Sequence, residues 1–336
     1  MTPLRILVGA YTSDMGGRAT GIVALESAAD GSLVHAGHLV TTDSPAYLAA
    51  HGDRVYSASE AAGTVEEFRR GAKGRLEHLG SAPAGGVAPC HVARYGGTVV
   101  ASCYVDGALG VVSADPLALV QSLAAEGSGP HPAQDSAHAH STCALPDGTI
   151  LSADLGADRI RLHVLRDGRL TRTGEVPVPA GTGPRDFLLH NSGHLYVLGE
   201  LGLVVLVFAV RGGTLEPVGS VDLPGARPGD HAAALSVSDD GRFLWAGLRG
   251  SNRICVIAVS PDGATLTAVD SVDAEGDWPR HHIVDGDLMH VAHERSDSVA
   301  SFRIDPKGIP RHFSTLNRVF SPIFLLRDPT DIESTP

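Results

Sequence analysis

The chain of 336 residues is 43% apolar and 19% charged, and it contains 40 glycines and 21 prolines. This composition is typical of a globular protein with many tight turns, and no helical heptad pattern competes with a β-rich interpretation. The formal net charge of −12 argues against a general binder of nucleic acid or of anionic membranes, so neither partner is expected.

Three strand-like segments come first: RILVGAYT, GIVALES and LVHAGHLV. Each is rich in β-branched or alternating apolar residues, as strands are. The start of the sequence, MTPLRILVGAYTS, shows no basic region followed by an apolar signal core, and the apolar stretch from Leu201 to Val210 is too short to span a bilayer. We therefore predict a cytoplasmic location.

Seven similar segments then follow, in which a proline or small residue precedes an aromatic or polar anchor and an apolar run. The anchors are Tyr47, His91, His140, Asp186, Ala234, His281 and Phe324, which are 44, 49, 46, 48, 47 and 43 residues apart. This period fits a four-stranded propeller blade, and seven blades of roughly 45 residues account for about 315 residues. The sequence predicts an all-β fold, a single seven-bladed β-propeller domain over residues 1–336 with four antiparallel strands per blade.

Two blades show the strand pattern most clearly. In blade three, HSTCAL and TILSADLG flank a Pro-Asp-Gly turn, RIRLHVL from Arg159 is the third strand, and the fourth follows Gly168. Blade five repeats the scheme. AALSVS is followed by the Asp-Asp-Gly turn at 239–241, RFLWAGLRG and RICVIAVS come next, and the Asp-Gly turn at 262–263 follows them. The turn residues and the strand lengths thus agree between the two blades.

The two ends of the chain are expected to share the last blade. After Phe324 only one more strand, IFLLRD, is available, whereas three strands precede the first anchor. We predict that the C-terminal segment provides the inner strand and the N-terminal segment the other three, which leaves no free sheet edge at the seam. The tail over about 328–336 is expected to be flexible.

The chain contains four cysteines, Cys90, Cys103, Cys143 and Cys255. They show no CxxC spacing and lie in or beside predicted strands, so we expect reduced thiols rather than a disulfide framework. His91 and His138 lie near two of them in the sequence, but no pairing has the spacing of zinc ligands. We therefore predict neither a metal site nor a cofactor.

The polar residues at one end of the blades form a candidate site. In a propeller, the starts of the inner strands and the ends of the second strands share one rim of the central channel. The starts contribute His91, His138, His140, Arg185, Asp186, Arg280, His281 and His282. The ends contribute Glu60, Tyr104, Asp154, Glu200, Arg249 and Glu294. Because they are distant in sequence and converge on one funnel, they mark a site.

Several segments are similar to motifs of a known family. They are APCHVA at 88–93, HAHS at 138–141, SADLGADRI at 152–160, GTGPRDF at 181–187, GEL at 199–201, SDDGRFLWAGLRG at 238–250 and WPRHH at 278–282. From about residue 5 to residue 326 the chain resembles the lactonase family with seven-bladed β-propeller, which includes the propeller type of 6-phosphogluconolactonase and the fungal carboxy-cis,cis-muconate lactonizing enzyme.

The resemblance implies a set of site residues. The family's channel-mouth His, Arg, Glu and second Arg correspond to the four residues that we predict as catalytic: His140, Arg185, Glu200 and Arg249. The arginine of the family's PRHF motif corresponds to Arg280. The residues predicted to bind substrate are Arg280, His281, His91, His138, Tyr104, Asp186 and Glu294.

The sequence departs from the family pattern beside these residues. A usual histidine is Asp186, and the asparagine that usually precedes the glutamate is Gly199. Blade five reads GLR where SNR is common, and blade six reads AHE where a glutamine is common, which places Glu294 at the rim. These changes alter the polarity of the site and leave the substrate open.

The residue types suit the chemistry of a lactone. Attack on its carbonyl builds negative charge that Arg185 or Arg249 can stabilise, and a second arginine can bind a carboxylate or phosphate. From residue type alone, our hypothesis makes Glu200 the base and His140 the acid. The leading prediction is hydrolysis of a sugar lactone such as 6-phosphoglucono-δ-lactone, the substrate assigned to most bacterial relatives.

Other functions stay open on the sequence alone. The same four residues would serve a lactonizing cyclase or isomerase acting on a muconate-like carboxylic acid, and a propeller rim can also bind a ligand or a protein without catalysis. Asp154 and Asp158 can simply cap turns. Arginines at the rim offer charge for a phosphate, but Asp186 and Glu294 oppose it. The sequence does not reveal the oligomeric state.

Overall fold

The computed structural model describes residues 4–71 and 74–328. In these ranges the regular elements are one 3-10 turn at Ser13–Met15 and twenty-eight β-strands, which form seven four-stranded sheets. Neighbouring strands within every sheet are antiparallel. The predicted all-β class with seven four-stranded blades is therefore confirmed.

The strands are numbered in chain order. Blade seven contains β1 (Arg5–Ala10), β2 (Gly21–Ser27), β3 (Leu33–Thr41) and, as its inner strand, β28 (Pro322–Arg327). Blade one contains β4 (Pro45–His51), β5 (Arg54–Ser59), β6 (Thr64–Arg70) and β7 (Leu76–Pro83). Blade two contains β8 (Pro89–Tyr95), β9 (Thr98–Cys103), β10 (Leu109–Ala114) and β11 (Leu117–Leu123). Blade three contains β12 (Ala139–Ala144), β13 (Thr149–Asp154), β14 (Arg159–Arg166) and β15 (Arg169–Pro177).

The remaining blades follow the same order from the channel outwards. Blade four contains β16 (Pro184–Leu189), β17 (His194–Gly199), β18 (Val204–Arg211) and β19 (Thr214–Asp222). Blade five contains β20 (His231–Val237), β21 (Phe243–Arg249), β22 (Arg253–Val259) and β23 (Leu266–Asp273). Blade six contains β24 (Pro279–Asp285), β25 (Leu288–His293), β26 (Ser298–Ile304) and β27 (Pro310–Asn317).

The ring closes at blade seven as the sequence predicts. There β28 pairs with β1, with Leu7 opposite Leu326 and Val8 opposite Leu325. The inner strands then contact one another in an unbroken circle from β4 through β28 and back to β4. Asp328, at the start of the predicted flexible tail, forms ion pairs with Arg5 at 3.2 Å and Arg70 at 2.8 Å, and the rest of that tail lies outside the described residues.

The blades stay together because each sheet buries both of its faces. In β17, Leu195 and Val197 belong to a hydrophobic cluster shared with blade three, while Tyr196 and Leu198 belong to one shared with blade five. Alternate residues of a strand point to opposite faces, so a strand between two neighbours is apolar at nearly every position. Clusters of this kind join all seven pairs of adjacent blades.

A one-residue shift in register marks the start of the inner strands and aims side chains into the channel. In β16, Pro184 lies opposite Gly199 and Asp186 opposite Leu198, so Arg185 is an extra residue without a partner across the ladder. Such a bulge redirects a side chain. Six blades show the shift directly after their first paired residue, whereas blade five shows it later, at Ala234.

This register corrects two of the sequence anchors, His140 and Ala234, because Ala234 is the extra residue of its strand just as Arg185 is. Counted from the first paired residue of β12, Ala139, the position of His91 and Asp186 is taken by Ser141. His140 instead holds the bulge position of Arg185. The sequence spacing missed this because a histidine resembles the anchors of blades two and six more closely than a serine does.

Buried histidines make the stability of the fold depend on pH, and four of them lie outside the wall of the channel cavity. Burial lowers the pKa of His163, His282, His290 and His293 from the ordinary 6.5 to about 4. Unfolding exposes these rings to water, where they bind protons at a pKa near 6.5. The folded state therefore keeps its full stability above about pH 6.5 and loses stability as the pH falls towards 4.

We predict that the urea midpoint of unfolding is constant from pH 8 to 7 and declines steadily between pH 6.5 and 4. Replacing His293, which is fully buried, by leucine removes one of these titrations and makes the decline shallower, although the variant is less stable at pH 7. The exposed His51→Gln is the control and keeps the wild-type slope. A midpoint independent of pH over this range would contradict the analysis.

Candidate active site

A narrow cavity of about 60 Å³ lies in the central channel, at the starts of the inner strands. Every blade contributes to its wall. All seven sequence anchors line it: Tyr47, His91, His140, Asp186, Ala234, His281 and Phe324. It is also lined by Arg185, Arg280 and Glu60, which together with Asp186 place ionisable groups in a wall whose other side chains are aromatic, small or aliphatic. A volume of this size holds a few water molecules.

Rings in tilted contact form one side of the cavity. The ring centroids of His281 and Phe324 are 4.2 Å apart, those of Phe324 and Tyr47 3.8 Å, and those of Tyr47 and His91 4.3 Å. Burial lowers the pKa of both His91 and His281 to about 3. These two histidines are therefore neutral, and their rings pack the wall.

Two of the anchors, His281 and Asp186, also form a hydrogen bond to the next blade. His281 accepts a hydrogen bond at Nδ1 from the backbone N–H of Leu325 in blade seven, at 3.3 Å. Asp186 accepts one from Leu235 in blade five, at 3.0 Å, and a second from Phe187. Asp186 thus replaces the family's usual histidine as an acceptor, and its carboxylate serves the junction between two blades. Burial raises the pKa of Asp186.

Glu200 joins two arginines on one side of the mouth. Its Oε2 accepts a hydrogen bond from Nη1 of Arg185, and its Oε1 lies 2.8 Å from Nη2 of Arg249 and 3.2 Å from Nδ1 of His231. Burial acts to raise the pKa of Glu200, but Arg249 and Arg185 outweigh it and hold that pKa well below its usual range. Glu200 is therefore a stable carboxylate whose two oxygens are both engaged.

The two arginines of this cluster differ in how many of their N–H donors already make hydrogen bonds. Arg249 donates from Nη2 to Ala232 O and from Nε to His231 O as well as to Glu200, and burial lowers its pKa to about 10. Arg185 makes only the bond from Nη1, among the described residues, and lines the cavity. Its Nη2 and Nε can therefore donate to a bound molecule.

Arg280 is held by a second acidic cluster across the mouth. Its Nη1 donates to Glu294 Oε2 at 3.1 Å, and its Nη2 donates to the hydroxyl of Tyr11 at 2.8 Å. Tyr11 in turn donates to Glu60 Oε2 at 2.8 Å. Burial raises the pKa of Glu60, and Arg280 only partly offsets this effect.

Tyr11 and Glu60 were not among the predicted catalytic or binding residues. Tyr11 directly follows β1, the second strand of blade seven, just as Glu60, Tyr104, Glu200 and Glu294 follow theirs. The repeat thus marks Tyr11 as a rim residue, but this position is recognised only when the N-terminal strands are aligned as part of the last blade.

His140 stands apart from the ion pairs. Its ring makes no hydrogen bond to the described residues, its Nδ1 is buried, and it lines the cavity beside Arg185. Burial and the neighbouring Arg185 hold the pKa of His140 well below its ordinary value, so the ring is neutral at pH 7. Tyr104 meets its edge, with ring centroids 6.3 Å apart.

The other predicted site residues lie beside the cavity or support it. His138 stacks on Tyr104 at 4.6 Å and does not line the cavity, because its Nδ1 lies 2.7 Å from the carbonyl oxygen of Tyr104. Glu294 does not line the cavity, but it accepts a hydrogen bond from Arg280, which does. Asp154 caps two loops of its own blade, accepting hydrogen bonds from the backbone N–H groups of His138, just before β12, and Ala157, just after β13.

A close backbone contact accounts for Gly199, where the family usually has asparagine. A Cβ atom at this position would lie 2.7 Å from Cγ2 of Thr182 and 2.9 Å from its carbonyl oxygen. Thr182 therefore fills the space of the missing side chain, and Glu200 follows directly.

Two searches of the described ranges bear on other classes of function. No three His, Cys, Asp or Glu side chains in residues 4–71 and 74–328 come together as ligands of a metal would. In the same part of the chain, no helix is long and apolar enough to cross a membrane.

Comparison with known proteins agrees with this architecture. A 6-phosphogluconolactonase of Bacillus subtilis is 30% identical over 225 residues, which are 63% of this chain and 64% of that protein. The solved periplasmic gluconolactonase of Pseudomonas aeruginosa covers 97% of this chain and 99% of its own, with a TM-score of 0.88 and 28% identity. A solved protein from Lactobacillus plantarum has a TM-score of 0.89 and 27% identity, covering 96% of this chain and 99% of its own.

The family model described as lactonase, 7-bladed beta-propeller, matches residues 5–313. This range contains all four residues that were matched to the family's channel mouth, and the fold has the seven blades that the description requires. The chain belongs to the lactonase family with a seven-bladed β-propeller.

Proposed function

We propose that the protein hydrolyses a sugar lactone at the channel mouth, with Arg185 and His140 as its catalytic residues. The observation that carries the proposal is that an arginine with open donors and a neutral histidine line one cavity with room for water. The family and the names of its relatives support a lactone as the substrate class.

Arg185 is suited to stabilise the carbonyl oxygen of the lactone. Attack by water turns that oxygen into an anion, and donors fixed in advance lower the energy of this state. Glu200 holds the guanidinium in place through one nitrogen and leaves the others pointing elsewhere. In this proposal, Glu200 and Arg249 position Arg185 and do not exchange protons.

His140 is suited to act first as the base and then as the acid, which changes the roles inferred from the sequence. Glu200 cannot easily take a proton, because Arg249 and Arg185 stabilise its ionised form. A neutral imidazole can accept a proton from water as the water oxygen bonds to the carbonyl carbon. The resulting imidazolium then gives this proton to the ring oxygen as the C–O bond of the lactone breaks, which yields the free acid and regenerates neutral His140.

The names of the relatives suggest two related substrates. The B. subtilis relative is named as a 6-phosphogluconolactonase, and the P. aeruginosa structure as a gluconolactonase, so the two substrates differ by a phosphate. 6-Phosphoglucono-δ-lactone is the substrate expected from the sequence, and both lactones contain the ester that the proposed residues would cleave. The cytoplasmic location stays a prediction, since the P. aeruginosa protein is named as periplasmic.

Arg185→Gln should lower kcat on an accepted lactone by roughly 10²- to 10³-fold, the usual cost of losing a donor to the developing oxyanion. A pH-stat assay, corrected for spontaneous hydrolysis, measures this directly. Arg242→Gln is the matched control, because Arg242 is exposed, pairs with Asp240, and lies in the turn between β20 and β21, at the opposite end of these strands from the channel mouth. Full activity of a folded Arg185→Gln protein would remove Arg185 from the mechanism.

The pH dependence of the reaction should follow His140. Because only the neutral ring accepts a proton and its pKa lies well below 6.5, kcat/KM should be constant from pH 8 down to about 6.5 and fall only at more acidic pH. His140→Gln should lower kcat by about 10²- to 10⁴-fold and abolish this acid limb. The exposed His51→Gln should leave the profile unchanged. An acid limb that persists in His140→Gln would assign the titration to another group.

A further inference from the structure

Arg280 is a second arginine that lines the cavity, and each terminal nitrogen of its guanidinium already donates one hydrogen bond. Glu294 engages Nη1 and Tyr11 engages Nη2, so both terminal nitrogens of the guanidinium fork have partners. A phosphate binds an arginine most strongly through two parallel hydrogen bonds from such a fork. A phosphate that binds this terminal fork would therefore compete with Glu294 and Tyr11 for Arg280.

The mouth has no excess of positive charge. Three arginines, Arg185, Arg249 and Arg280, face three glutamates, Glu60, Glu200 and Glu294, and each arginine is paired directly with a glutamate. Asp186 adds a fourth acidic group to the wall of the cavity. A phosphate monoester brings about −1.5 to −2 charges at neutral pH. Burying this charge requires positive charge in excess, and the mouth has none. The net charge of −12 on the whole chain adds repulsion at longer range.

The same arrangement suits a molecule rich in hydroxyl groups. Glu60 and Glu294 each use Oε2 for an internal bond, and their Oε1 atoms make no hydrogen bond to the described residues and are not buried. A carboxylate oxygen accepts hydrogen bonds from hydroxyls, and Arg185 provides open donors nearby. The alternation of acceptors and donors matches an unphosphorylated sugar lactone.

We propose that Glu294 is the residue that makes this site selective for uncharged sugar lactones, by occupying Arg280 and repelling a phosphate. The inference rests on the proposed lactone hydrolysis and specifies its substrate class. It also gives a role to the position where the family commonly has glutamine, because glutamine keeps a hydrogen bond to Arg280 without the negative charge.

The experiment compares wild type and Glu294→Gln in two assays. Steady-state kinetics give kcat/KM for glucono-δ-lactone and for 6-phosphoglucono-δ-lactone, and calorimetric titration measures the binding of inorganic phosphate. We expect wild type to favour glucono-δ-lactone and to bind no phosphate. In Glu294→Gln the ratio should shift towards the phosphorylated lactone by on the order of tenfold or more, and phosphate should bind. Glu216→Gln, from an exposed pair with Arg211, is the matched control.

Two results would overturn the inference: a wild-type preference for the phosphorylated lactone, or an unchanged ratio in a folded Glu294→Gln protein. If neither protein hydrolyses either lactone, the proposed function fails, and phosphate titration still decides the role of Glu294. The role of Glu294 is supported if Glu294→Gln binds phosphate and wild type does not, and if the double variant with Arg280→Gln loses this binding again. Equal phosphate binding by wild type and Glu294→Gln contradicts it.

Discussion

The pairing of β28 with β1 is the contact on which the rest of the molecule depends. Every blade is apolar on both faces, so each needs a neighbour on both sides, and only a closed ring supplies one to all seven. Closure also brings Tyr11 from the N-terminal part of the chain beside Arg280 from blade six. The seam between the ends of the chain is thereby part of the candidate site.

Ion pairs with carboxylates determine which of the three arginines at the mouth can donate hydrogen bonds to a substrate. Glu200 takes one nitrogen from Arg185 and one from Arg249, and backbone oxygens take more of Arg249, while Glu294 and Tyr11 take both ends of Arg280. Among the described residues, Arg185 makes a hydrogen bond through Nη1 alone, so Nη2 and Nε are left to donate at the cavity that it lines. In the proposed mechanism, the acidic residues position these arginines without exchanging protons, and the neutral His140 acts as the base. In this account, the same Arg–Glu pairs determine which arginine can act in catalysis and which substrate charge the site accepts.

Most of the fold could be predicted from the sequence, because a repeated period and repeated turns encode seven similar sheets. The rim residues followed, since their position in the repeat determines where they lie. The bulge at His140 could not be predicted, because spacing does not show which residue leaves the ladder. The hydrogen bond by which Asp186 joins blade four to blade five could not be predicted either, because its donor is a backbone N–H of the next blade. The pairing of charged residues, such as Arg280 with Glu294, is defined only by the folded ring.

A crystal structure of the protein with glucono-δ-lactam, an uncharged analogue that the enzyme cannot hydrolyse, would test the central claim most directly. The account predicts that the lactam carbonyl oxygen accepts hydrogen bonds from Nη2 or Nε of Arg185, with the ring of His140 facing the carbonyl carbon and the bond between Arg280 and Glu294 intact. A carbonyl bound by Arg280 with Glu294 displaced, or a lactam bound away from the channel, would contradict it.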